Sequence, residues 1–79
     1  MVDKNGVSVK IGDYVLFDPR FDGVYHICMV SNICKHIHGS EPYEDVELPW
    51  KLGNGVLWRR SSAEIEKLSD EEAMLWMLE

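Results

Sequence analysis

Turn-forming residues recur at short intervals along this chain, and they constrain its fold more than any other feature. Gly12-Asp13, Asp18-Pro19-Arg20-Phe21-Asp22-Gly23, Gly39 with Pro42, and Gly53-Asn54-Gly55 punctuate the first 60 residues. Glycine, proline, asparagine and aspartate supply the backbone geometries that reverse a chain. Between them lie β-branched and aromatic runs such as Tyr14-Val15-Leu16-Phe17, which suit a pleated, half-buried strand. Several short strands at this spacing, with no room for helices between them, predict a small antiparallel barrel of about five strands.

The strands can be placed approximately. Val7-Ser8-Val9 leads into the Gly12-Asp13 turn and Tyr14–Phe17. A long extended stretch runs from Val24 to about Ile37, weakest at Ser31-Asn32, where a bend, a bulge or a tight turn would fit. His38 to Asp45 is polar and reads as an exposed loop. Val46 to Leu52 is extended but carries Pro49, which belongs at a sheet edge or a strand end. Gly53-Asn54-Gly55 predicts a hairpin turn, with Val56-Leu57-Trp58-Arg59 returning along the other side. Ser61-Ser62-Ala63 reads as a turn, and Ile65 and Leu68 suit a short closing strand or a helical turn. Ser69-Asp70-Glu71-Glu72 has the form of a capping box, with acids at the positive helix end, and predicts a helix over about 70–79.

Size and charge narrow the function. A chain of 79 residues has room for one domain and seldom for a deep substrate cleft as well. The longest apolar run, Ala73–Leu78, is far below the roughly 18–20 residues of a membrane span. Met1-Val2-Asp3-Lys4-Asn5-Gly6 has no apolar stretch of the signal-peptide kind, so a cytoplasmic, non-membrane protein is expected. The net charge is −6, and residues 61–79 carry six acids and one base. No basic stripe is visible, so direct nucleic-acid binding is disfavoured and a basic protein surface is the better complement.

A family resemblance enters through Val9-Lys10-Ile11-Gly12-Asp13-Tyr14-Val15-Leu16-Phe17. This segment resembles the V-x-x-G-D-x-V-x-F opening of many small SH3-like barrels, KOW-type modules among them. Met29-Val30-Ser31-Asn32-Ile33 is similar to the strand that follows there, although Cys28 stands where the KOW pattern has glycine. Ser62–Leu68 is similar to the turn and last strand that close such barrels. The resemblance covers roughly residues 7–68 and implies an SH3-like barrel followed by a short C-terminal helix. Small proteins of this outline are common in bacteriophages and their hosts. For a phage-encoded chain, the acidic segment 61–79 leads to the expectation of an inhibitor or modulator that docks on a host nucleic-acid-handling or defence protein. The alternative is a KOW-like nucleic-acid or ribonucleoprotein module using Lys10, Arg20, Lys35, Arg59 and Arg60.

His26, Cys28, Cys34, His36 and His38 form the one cluster with metal-ligating chemistry. On an unbroken strand all five would share a face. The spacing lacks the close Cys-x₂₋₄-Cys knuckle of structural zinc sites, and a straight strand spreads the ligands, with Cys28 and Cys34 about 20 Å apart. A hairpin at Ser31-Asn32 would shorten that distance but split the set between two faces. The expected state is therefore no metal and no cofactor. The cysteines then serve as small core residues in reduced form, and the histidines line a strand edge. No phosphate loop, nucleophile elbow or His-Glu-x-x-His is present, and two hairpins hardly supply a base, an orienter and an oxyanion site. A non-enzymatic protein is expected.

Two surfaces are candidates for binding a protein partner. Tyr43, Trp50 and Trp58 with Glu44, Asp45 and Glu47 would make an acidic aromatic groove, although alternation requires at least one of the tryptophans to be core. The second is the C-terminal helix, where Ala73-Met74-Leu75-Trp76-Met77-Leu78 puts apolar groups on every side. A barrel of this size covers only one side. Leu75, Trp76 and Met77, preceded by Asp70, Glu71 and Glu72, are therefore expected to meet another chain. Homodimerisation through this helix is compatible with each reading.

Overall fold

The computed structural model describes residues 1–50 and 58–78, with only the backbone of His38. Six strands, a single 3₁₀ turn and one α-helix are present among them. Strands β1 (Tyr14–Phe17), β2 (His26–Met29) and β6 (Ile65–Lys67) form one antiparallel sheet in the order β2-β1-β6. Strands β3 (Asn32–His38), β4 (Glu41–Leu48) and β5 (Trp58–Ser61) form a second, in the order β3-β4-β5. Helix α1 (Asp70–Met77) follows. The chain is thus mainly β with a short C-terminal helix. Among the described residues no strand ladder joins the two sheets into one closed barrel.

Each turn reflects its residues. Asp13 N–H donates to Lys10 O at 3.0 Å across Gly12 at φ +94°, so glycine fills the left-handed position of a type II turn. Asp13 Oδ2 then accepts from Lys10 N–H, fixing the entry to β1. In the following loop, Asp18 accepts the backbone N–H groups of Arg20, Asp22 and Gly23. Burial acts to raise this carboxyl, but the three donors outweigh it and hold it below its ordinary range.

The bend at Ser31-Asn32 is a switch between sheets. Val30 N–H donates to Asp13 O in the first sheet, and Ser31 N–H donates to Glu47 O in the second. The hairpin that would pair Val30 with Ile33 does not form, because Val30 is fully buried and Ile33 pairs with Val46 instead. A second correction concerns His38–Asp45, which is not a loop. β3 and β4 pair from Asn32↔Glu47 to His38↔Glu41 across a two-residue Gly39-Ser40 turn, with Gly39 at φ +66°. Gly-X with one positive φ is the type II′ hairpin turn. Pro42 is tolerated because β5 pairs only with Asp45–Leu48, and among the described residues no strand pairs with the other edge of this arm, where a missing N–H costs little. Val7-Ser8-Val9 forms no strand, only a bridge between Val2 and Ser8. The expected Gly53-Asn54-Gly55 turn lies outside the described residues.

The layers follow from alternation. Val15 and Phe17 of β1 and Val46 and Leu48 of β4 meet between the sheets, with Val9, Val30 and Ile65, all of them buried. Trp50 closes this core, its ring edge-on to Phe17 at 5.8 Å. The opposite face of β1 presents Leu16 to Leu68 and to Ala73 of α1. β1 is therefore covered on both faces, which explains a run of consecutive buried residues where a one-sided strand would alternate.

The N-terminal segment is tied to β6 by a buried carboxylate. Asp3 Oδ1 accepts from Asn5 and Val7 N–H, and Oδ2 accepts from Lys67 N–H at 2.8 Å. Ser69 caps α1 as expected: its Oγ accepts from Glu72 N–H, and Glu72 Oε1 accepts from Ser69 N–H. A similar arrangement precedes β6, where Ser61 N–H and hydroxyl both donate to Glu64 Oε1.

Candidate functional site

Helix α1 touches the rest of the chain through very little of its surface. Ala73 is its only buried residue, against Leu16 and Leu68. One turn beyond Ala73, Trp76 is 36% exposed, whereas Met74, Leu75, Met77 and Leu78 range from 52% to 80%. Glu71, Met74, Leu75 and Leu78, spaced i, i+3, i+4 and i+7, line one shallow apolar patch. The expectation of a spare face centred on Trp76 is thus refined. Trp76 and Met77 follow Ala73 by three and four residues and so share its side of the helix, and the most open stripe is Met74, Leu75 and Leu78. Asp70, Glu71 and Glu72 are exposed at the helix start. No basic side chain among the described residues forms an ion pair with them.

The acidic aromatic groove is divided by strand alternation. Tyr43, Asp45 and Glu47 share the outer face of β4, while Glu44 and Val46 point the other way. Tyr43 is half exposed and stacks on His36 at 5.0 Å. Trp50 packs instead among Phe17, His26 and Trp58 at the main core. Trp50 lies beyond the end of β4 at Leu48 and packs on the core side, whereas Tyr43 is on the opposite face of β4.

The five His and Cys residues are likewise distributed over both sheets. His26 and Cys28 lie on β2, with His26 against Trp50 at 4.5 Å and Cys28 half-buried against the main core. Burial pushes the Cys28 thiol up, only partly offset by its bond to Met29 O. Cys34 and His36 lie on β3 in the second sheet, His38 ends that strand, and both cysteines are free. The sheet switch at Val30-Ser31 thus puts His26 and Cys28 on a different sheet from Cys34 and His36.

Two of the five nonetheless meet partners that the spacing along the chain did not reveal. Cys34 stands directly opposite Asp45, and Asn32 opposite Glu47. His36 Nε2 lies 3.1 Å from Asp45 Oδ1, and the Cys34 thiol donates to Glu47 Oε1 at 3.2 Å. That hydrogen bond, then burial and the negative charges of Glu47 and Asp45, raises the Cys34 thiol, with Arg59 opposing. Arg59 reaches Glu47 Oε1 at 3.3 Å. The signal that would have found this cluster is Gly39-Ser40 as a hairpin turn, since it sets every cross-strand pair between β3 and β4.

Two of the basic residues, Arg59 and Arg60, do not share a face. Arg59 and Arg60 are neighbours on β5 and point to opposite sides. Arg59 pairs with Glu47, whereas Arg60 donates to Pro19 O at 2.9 Å and lies over the Phe21 and Trp58 rings. Lys67 pairs with Asp13. Among the described residues no helix is long and apolar enough to cross a membrane. No protein-family model matches this chain, and comparison with curated proteins and with solved structures gives no match.

Proposed function

We propose that this chain is a non-enzymatic protein-interaction module that docks on a partner protein through helix α1. The observation that carries this reading is the helix itself: Met74, Leu75, Met77 and Leu78 are each more than half exposed, and Ala73 alone is buried. Exposed apolar side chains in one contiguous stripe are what helix-in-groove recognition uses, at i, i+3, i+4 and i+7. The acids at the helix start choose the partner's chemistry. Asp70 and Glu71 beside the Met74–Leu75–Leu78 stripe suit an apolar groove rimmed by Lys or Arg. A surface that normally contacts nucleic acid has that character, which supports the reading of an acidic modulator of a nucleic-acid-handling protein. The two antiparallel sheets are consistent with an SH3-like barrel as the scaffold for this helix.

The test is a comparison of captured partners from the source cell's lysate, before and after nuclease, using wild type and the Leu75→Ser/Leu78→Ser variant. One protein retained at near-stoichiometric amounts after nuclease, lost with the variant and weakened by Asp70→Lys/Glu71→Lys, is expected. Both positions are exposed, so the variants should keep the wild-type circular dichroism. Equal retention by the Leu75→Ser/Leu78→Ser variant would overturn the reading. Loss of all binding after nuclease would support the KOW-like alternative, and a dimer by sedimentation that the same substitutions dissociate would make a second copy the occupant.

A further inference from the structure

The outer face of the β3–β4 hairpin carries a set of side chains that the docking helix does not use. Cys34 and His36 are two residues apart on β3, Asp45 and Glu47 two apart on β4, and the register places all four on one face. One ligating atom from each of Cys34, His36 and Asp45 lies within 4.8 Å of the other two. Glu47 Oε1 adjoins the set at 3.2 Å from Cys34 Sγ. We propose that Cys34, His36 and Asp45 form a three-residue binding site for a zinc-type divalent transition metal ion, with Glu47 beside it and paired to Arg59.

The donor chemistry carries the choice of ion. Thiolate, imidazole and carboxylate together are the ligands of zinc-like ions, whereas calcium and magnesium take oxygen alone. Ligands held at about 2.0–2.3 Å around a tetrahedral ion stand about 3.3–3.6 Å from one another. His36 Nε2 and Asp45 Oδ1 are at 3.1 Å, so this pair is already at ligand spacing, and a Cys34 ligand atom lies within 4.8 Å of both.

The surroundings hold the set in place. Tyr43 stacks on the His36 ring with 21° between the planes, fixing the imidazole while its Nε2 points at Asp45. On the reverse of the same strands, Val46 is fully buried and Ile33 packs on the core, so the backbone beneath the cluster is anchored. The Asp45 and Glu47 side chains are 16% exposed and His36 is 30% exposed, which leaves an entry path for an ion. Binding replaces the thiol proton by the metal: the S–H bond breaks, an S–metal bond forms, and the proton leaves to solvent. Glu47 loses that hydrogen bond and keeps its ion pair with Arg59.

The experiment uses the purified full chain, stripped of metal and titrated with Co²⁺, followed by Zn²⁺ competition. One equivalent of Co²⁺ should give visible ligand-field bands and a near-ultraviolet thiolate charge-transfer band, both abolished by Zn²⁺. Cys34→Ser should remove the charge-transfer band. His36→Gln and Asp45→Asn, which keep the thiol, should each weaken Co²⁺ binding at least about tenfold, the loss seen even for supporting partners of metal ligands. Cys28→Ser and His26→Gln should leave the spectrum unchanged. Zn²⁺ at a hundred times its dissociation constant should raise the thermal midpoint by about 10 °C or more. Absence of a charge-transfer band at stoichiometric Co²⁺, or its loss in Cys28→Ser, would overturn the proposal. These readouts are independent of α1 and of any protein partner.

Discussion

Replacing Asp3 by asparagine isolates one oxygen that links the first residues of the chain to the last strand. The Asp3 residue is 4% exposed. Asparagine can keep its carbonyl oxygen where Oδ1 accepts from Asn5 and Val7, but its amide NH₂ then faces Lys67 N–H, donor against donor. A bond to a charged acceptor is worth about 1.5–3 kcal/mol, and an unpaired buried donor costs a similar amount, the two overlapping rather than adding. The expected loss is about 2–3 kcal/mol, a large share of the roughly 3–5 kcal/mol available to a domain of this size. The thermal midpoint should fall by about 10–20 °C.

The acid limb adds a second signature of the same carboxylate. Burial alone would raise the Asp3 carboxyl, but the N–H groups of Lys67, Val7 and Asn5, with the Lys4 charge, bring it below its ordinary value. A depressed folded pKa contributes stability that is full above the unfolded value, about 3.9. That contribution is lost as pH falls through the folded value. The gap between wild type and Asp3→Asn should therefore be widest near neutrality and narrow below about pH 4. Thermal unfolding followed by circular dichroism from about pH 7 to pH 2 measures it. An unchanged midpoint, or a gap constant down to the acid limit, would refute the reasoning.

Other substitutions test the remaining parts of the structure. Phe17→Ala removes a fully buried ring that packs on Trp50; the expected loss of about 3–5 kcal/mol should abolish cooperative unfolding. Ser69→Ala removes the cap of α1 and should cost about 1 kcal/mol, seen as a modestly lower midpoint and a weaker helical signal. Gly39→Ala meets no neighbour within 4 Å, so its destabilisation, about 1 kcal/mol by chemical denaturation, would come from φ +66° alone. On a Cys34→Ser background, the raised Cys28 thiol should alkylate far more slowly in the native chain than after unfolding in denaturant at the same pH.

Local chemistry alone determined several parts of this protein. Ser69 and Glu72 are three residues apart and satisfy each other's backbone donors within one turn, so the helix start needs no tertiary information. The Gly12-Asp13 turn and strand β1 are equally local, as are the acidic balance of residues 61–79 and the apolar run of α1. Tertiary structure decided what depends on contacts distant in sequence. The stretch from Val24 to about Ile37 reads as one extended segment, yet Val30 and Ser31 bond to different sheets, which parts His26 and Cys28 from Cys34 and His36. The pairing of β3 with β4 then brings Asp45 and Glu47, 9 to 13 residues away in sequence, onto the Cys34–His36 face. Alternation states which residues share a face of one strand; it does not state which strand lies beside it, because that is fixed by turn geometry and by the core on the reverse side. The same limit applies to α1, whose open stripe was set by how the helix rests on Leu16 and Leu68 through Ala73.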